Sequence, residues 1–166
     1  MITKNRGFSL IELLVTVAIV ALISGASFQF YQEYSAKVYR SEAIIALTYQ
    51  AGKMEECRAR SGNLYSGCGL VICRSLTDST NAGCLQANRR TLAGHYRLAP
   101  PLINGAGTAY LISASLVAPN SKDASCMDAN RVNYDLVINQ LGQYGISLGG
   151  AVPVFGTAQA RKCWSK

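Results

Sequence analysis

The hydrophobic pattern changes character twice along the chain. Residues 13–32 carry no charged side chain, and a helix of roughly twenty such residues spans about 30 Å, the thickness of a bilayer's hydrocarbon. Downstream the run becomes amphipathic without a break: Ala36, Tyr39, Ala43, Leu47, Ala51, Met54 and Cys57 recur at intervals of three and four, the spacing of one helix face. One helix is therefore predicted over residues 8–61, roughly 80 Å long, and Gly62-Asn63 closes it, because a glycine just past the last periodic residue is a common stop. Its first half belongs in lipid or a similarly apolar setting, and one face of its second half belongs under a domain.

The second change is from a helical period to a period of two. Between Gly62 and Gly94, glycines, cysteines and the polar run Thr77-Asp78-Ser79-Thr80-Asn81 predict a looped, disulfide-tied connection with no regular element. Beyond it, Tyr110, Ile112, Ala114 and Leu116 alternate with Leu111, Ser113, Ser115 and Val117, and Tyr134, Leu136 and Ile138 alternate with Asp135, Val137 and Asn139. Both read as strands. Residues 95–99, bounded by Pro100-Pro101, and residues 143–148, entered through Gly142, add a third and a fourth. The economical fold is α+β, a four-stranded antiparallel sheet in a meander packed on the amphipathic half of the helix.

Charge and cysteines place this architecture relative to a membrane. Lys4 and Arg6 precede the apolar run with no acid beside them, which orients its start to the cytoplasm and sends everything downstream out. All six cysteines, Cys57, Cys68, Cys73, Cys84, Cys126 and Cys163, lie in that exported part and suit an oxidising compartment. Zinc fits poorly, because its ligands come as pairs two to four residues apart and the closest pair is Cys68 and Cys73. Six cysteines allow fifteen connectivities. The equal spacings of Cys57 to Cys68 and Cys73 to Cys84 favour sequential pairing among those four.

One residue does not fit a plain secretory signal or a plain anchor. Glu12 stands at the head of the apolar run, where a carboxylate costs up to about 3 kcal/mol at a membrane centre and less near an interface. A signal peptide cut near Ser24-Gly25-Ala26 would have no use for it. The hexapeptide Gly7-Phe8-Ser9-Leu10-Ile11-Glu12, behind a short basic leader, resembles the class III signal of type IV pilins and of the pseudopilins of type II secretion. The resemblance implies cleavage between Gly7 and Phe8 by a membrane-embedded prepilin peptidase and methylation of the new amino terminus at Phe8. It further implies that Glu12 pairs with a neighbouring subunit's amino terminus during assembly. Tyr31, Tyr34 and Ser41-Glu42-Ala43 also stand where many type IVa pilins carry similar residues. The chain departs from the family at Gln29, where proline is common, which leaves Gly25, near Ser24 and Ser27, as the position able to loosen the helix.

Tyr110-Leu111-Ile112-Ser113-Ala114, residues 123–126 and 136–139, Leu141-Gly142-Gln143 and Cys163-Trp164 are similar in order and character to the tail of PilE-like minor pilins. In that group two late cysteines close a loop at the domain edge, which implies a bridge between Cys126 and Cys163. The family implies a leader over residues 1–7, a transmembrane and filament-core helix over 8–35 and a globular domain over 36–166. The subunit would stand in the inner membrane before assembly, with its domain periplasmic, and on the cell surface afterwards. Its partners would be other pilin subunits, the peptidase and the inner-membrane assembly machinery.

No residue constellation suggests an enzyme or a cofactor. His95 is the only histidine, and Gly67-Cys68-Gly69 lacks the lysine of a phosphate loop. The net charge of +7 changes the picture more. Lys53, Arg58, Arg60, Arg74, Arg89, Arg90 and Arg97 fall in or beside the middle region, so DNA is a partner to consider, with Arg74, Arg89, Arg90 and Arg97 as contacts. A solvated surface that keeps the protein soluble is the plain alternative. The reading reached from sequence is a pilin, minor rather than major. A DNA-capturing pilin and a secretion-system pseudopilin are the alternatives.

Overall fold

The computed structural model describes residues 9–72, 83–117 and 126–165. The chain divides into two compact units, Met1–Ser35 and Ala36–Lys166, and one helix, α1, covers Leu10–Arg60. It starts where the Ser9 carbonyl accepts from Glu12 N at 3.0 Å and from Leu13 N at 3.2 Å. Its neutral polar residues do not interrupt it. The hydroxyls of Thr16, Ser24, Ser35 and Ser41 donate to the carbonyls of Leu13, Val20, Tyr31 and Lys37, one turn back, and so satisfy themselves within the helix. The helix also continues through Gly25. It ends where expected, with Gly62 and Asn63 both at φ +67° and Asn63 N donating to Arg58 O at 3.0 Å. This left-handed closure captures one of the helix's orphan carbonyls.

In the second unit the helix buries Ala36, Ala43, Leu47, Ala51 and Met54, the face expected from sequence, and adds Ala46 and two polar residues, Arg40 and Gln50. Opposite this face lies an antiparallel sheet of β1 (Tyr96–Leu98), β2 (Leu102–Ile103), β3 (Tyr110–Leu116), β4 (Asp135–Asn139), β5 (Tyr144–Ser147) and β6 (Val154–Phe155). The order is β1-β3-β4-β5-β6, with β2 also on β3. The four expected strands are all present, and β2 and β6, two residues each, join them. Leu98 pairs with Ala114 and Leu102 with Leu111, so β1 and β2 share one edge of β3, interrupted by Pro100-Pro101. Prolines donate no amide, and an edge strand tolerates that. On β3 the alternation holds, Tyr110, Ile112 and Ala114 lying in the core with Leu136 and Ile138 of β4 and with Leu47, Met54, Leu98 and Ile146, whereas on β4 Val137, expected to alternate with Leu136 and Ile138, is fully buried as well.

Bridges and side chains tie the irregular parts to this core. Cys57 is joined to Cys68 and Cys126 to Cys163, with Cα separations of 5.9 and 4.8 Å. Cys84 is also disulfide-bonded, and its expected partner Cys73 lies outside the described residues. Gln50, fully buried, donates to the carbonyls of Val71 and Gly83 at 2.9 and 3.1 Å and accepts from Val71 N at 2.7 Å. Tyr65, also buried, donates to Glu55 Oε1 at 2.5 Å. Burial first, and that carboxylate second, push its hydroxyl up to about 12. A short helix that sequence reasoning did not predict, α2 (Ala158–Trp164), follows β6. Thr157 caps it, its side chain accepting from Ala160 N at 3.1 Å.

Candidate assembly site

Glu12 lies in the first turn of α1, where the positive end of the helix dipole favours an acid. Around it the large apolar side chains between Leu10 and Ile23 are 51–77% exposed. Soluble domains do not leave so long an apolar face uncovered, so this segment is built to be buried against something outside the single chain. A carboxylate at its head carries a negative charge into whatever apolar setting receives it. Among the described residues no helix is long and apolar enough to cross a membrane. The expected charge-free run of residues 13–32 lies partly outside the described side chains, as do Gly7 and Phe8.

The arginines come together through backbone pairing. Gln86 N donates to Arg90 O and Arg89 N to Gln86 O, both at 2.8 Å, closing a turn in which Arg89 takes φ +61°. Leu98 N then donates to Arg89 O at 2.9 Å, and Arg90 pairs with Arg97 across an antiparallel bridge. Arg97 is exposed, Arg89 and Arg90 are half-buried, and Arg90 Nε is buried with no hydrogen-bond partner. Arg74 lies outside the described residues. Three of the four candidate cations therefore share one sheet edge. Beside them His95 Nδ1 meets Glu42 Oε2 at 3.0 Å, and the His95 ring stacks on Tyr39 with centroids 3.7 Å apart. Glu42 also accepts from Ala93 N at 2.6 Å. His95 is thus a fastener between α1 and the start of β1. Among the described residues no cluster of histidine, cysteine and acidic side chains is arranged to hold a metal.

Residues 2–28, which include the Gly7 to Glu12 hexapeptide, match a family model described as the prokaryotic N-terminal methylation motif. The chain is 29% identical over 114 residues to a fimbrial protein of Neisseria meningitidis serogroup A, an alignment covering 69% of this chain and 59% of that one. It is likewise 29% identical over 114 residues to the type IV major pilin protein PilE of Neisseria gonorrhoeae, covering 69% and 60%. A shorter stretch of 54 residues is 37% identical to a type IV major pilin protein PilE1 of the same species, covering 32% of this chain and 33% of that one. The chain thus carries an N-terminal methylation motif and is similar to type IV pilins of Neisseria. It spans about three-fifths of the length of the first of these relatives. No solved structure gives a match.

The α+β build, a long N-terminal helix followed by an antiparallel sheet with two described disulfides, is pilin-like and agrees with that similarity. Sequence reasoning missed the most buried charge among the described residues. Arg40 is 2% exposed, and among its partners are the carbonyls of Lys162 and Cys163, to which Nη1 donates at 3.0 and 3.1 Å. These carbonyls belong to the last turn of α2, where the helix dipole is negative and no intrahelical donor remains. The only trace of this role in sequence is that position 40 falls on the buried stripe, four residues after Ala36 and three before Ala43.

Proposed function

We propose that this chain is a pilin, a minor structural subunit of a type IV pilus, made as a precursor, cut between Gly7 and Phe8, methylated at Phe8 and polymerised through its N-terminal helix. The observation that carries the reading is Glu12 at the head of a solvent-facing apolar helix within the methylation motif. Before assembly the apolar segment holds the subunit in the inner membrane, with residues 36–166 periplasmic, and the assembly machinery draws it from there into the fibre. Its partners are other subunits of the same kind, and in the fibre each apolar face covers its neighbours' as a hydrophobic core would. Mass spectrometry of the mature protein is expected to find Phe8 as the first residue, carrying one methyl group. A mature start at Ser27, or an intact Met1, would overturn the proposal. The molar share of the chain in sheared fibres separates minor from major subunit, a few per cent or less being expected.

Capture of DNA is a second reading, favoured by the cross-strand approach of Arg90 and Arg97 with Arg89 beside them. Phosphate contacts are sequence-independent and release counterions. Replacing Arg90 and Arg97 together by Ala is therefore expected to weaken binding to unrelated duplexes alike and to flatten the slope of log K against log salt by up to about two. Wild-type protein that fails to retain DNA at low salt would remove this reading and leave the structural one intact.

A further inference from the structure

At the edge of the sheet where α2 meets β5 and β6, an open groove of about 490 Å³ is lined by Gln143, Tyr144, Phe155, Arg161 and Trp164, among others. Its aromatic residues are fixed independently of any ligand. Trp164 Nε1 donates to Gly145 O at 2.8 Å, and its ring stacks on Tyr144 with centroids 4.4 Å apart at 27°. Phe155 lies across Gly145 so closely that a Cβ there would stand 2.6 Å from the ring. A preorganised aromatic surface loses little side-chain entropy on binding.

Arg161 gives the groove its sign. It is exposed, its Nη1 donates to Gly156 O at 2.8 Å, and it has no ion pair among the described residues. Most of its five N–H donors remain available. Among the described residues no acidic side chain lines the groove. A guanidinium with free donors favours a carboxylate, which it can take in a bidentate fork, and it disfavours a cationic ligand in the aromatic setting. The open mouth and the Gln143 amide favour a ligand that keeps polar groups in water while laying one apolar face on the rings. A sugar ring has both: a C–H face, and hydroxyls around its rim.

We propose that this groove binds the carboxylate-bearing terminal sugar of an acidic oligosaccharide, with Arg161 holding the carboxylate and the aromatic rings supporting the ring's C–H face. Trp164 is the only tryptophan in the chain, so its fluorescence reports the groove directly. The full chain in detergent is to be titrated with sialyllactose, with lactose as the neutral counterpart and with acetate as the bare anion. Sialyllactose is expected to give a saturable change and to bind at least about tenfold more tightly than lactose, the worth of one charge-assisted pair. Arg161→Gln should erase that preference, Arg161→Lys should restore part of it, and Tyr144→Ala should weaken both sugars. Equal responses to sialyllactose and lactose, a preference surviving Arg161→Gln, or no saturable change with sialyllactose overturns the proposal. So does a response to acetate that matches sialyllactose, since the rings would then contribute nothing. An acidic peptide that binds where the sugar does not would assign the groove to a protein partner instead.

Discussion

Glu12→Ala protein is expected to be cut after Gly7 and methylated as the wild type is, yet to remain in the membrane pool and be nearly absent from sheared fibres. The reasoning begins with desolvation. In a packed fibre the apolar side chains between Leu10 and Ile23, all more than half exposed in the single chain, exclude water, and a carboxylate left alone among them costs several kcal/mol. Such a group is tolerable only with a partner of opposite charge, and the proposed cleavage would create one, the amine of Phe8 on a neighbouring subunit. The pair then acts as a registration device: wrong staggers leave both charges unpaired and are penalised far more than a purely apolar contact would be. Alanine removes the penalty against wrong staggers together with the attraction to the right one, so assembly loses its register. Glu12→Asp, shorter by one methylene, keeps the charge and loses reach, and should fall between the two. The measurement is the ratio of membrane-pool to sheared-fibre protein by immunoblot for the three forms. Equal partitioning of Glu12→Ala and wild type would show that the carboxylate is not an assembly device.

Replacing Arg40 with Met is expected to lower the stability of the globular part by about 1–3 kcal/mol. Methionine fills much of the same volume, so the loss comes from polar groups: the buried Cys163 carbonyl loses its charged donor, while the part-buried Lys162 carbonyl keeps the Ser165 hydroxyl at 2.8 Å, and a buried orphan costs about 1–3 kcal/mol. The damage should spread from α2. Cys163 is fully buried and bridges to Cys126, so a frayed α2 exposes that bridge to reductant. Denaturant unfolding of the full chain in detergent, with the rate of Cys126–Cys163 reduction by peptide mapping, reads both effects. The opposing consideration is that burying a guanidinium is itself expensive, and some buried charges can be exchanged for apolar residues at no net cost. A Met variant as stable and as slowly reduced as the wild type would show that the desolvation of Arg40 cancels its hydrogen bonds.

The sequence by itself determined those features that depend on local periodicity and on contiguous motifs. The span of α1 was readable because an apolar run followed by a stripe at intervals of three and four admits one backbone conformation, and Gly62 can take the positive φ that ends it. The strands β1, β3, β4 and β5 were readable because alternation has a period of two whatever the neighbours are. The Gly7 to Glu12 hexapeptide was readable because its residues are adjacent. The tertiary structure alone decided β2 and β6, whose two residues carry too little pattern to register and exist only because β3 and β5 offer them a ladder. It alone set α2, seven residues long and too short to hold as an isolated helix. Thr157 caps its start, and the Arg40 side chain that closes its other end comes from 122 residues away. The meeting of Arg90 with Arg97, of Glu42 with His95, and of Arg161 with three aromatic rings likewise follows from strand register and chain reversal. Such contacts join residues far apart in the chain, and local periodicity holds no information on which distant segment will be opposite.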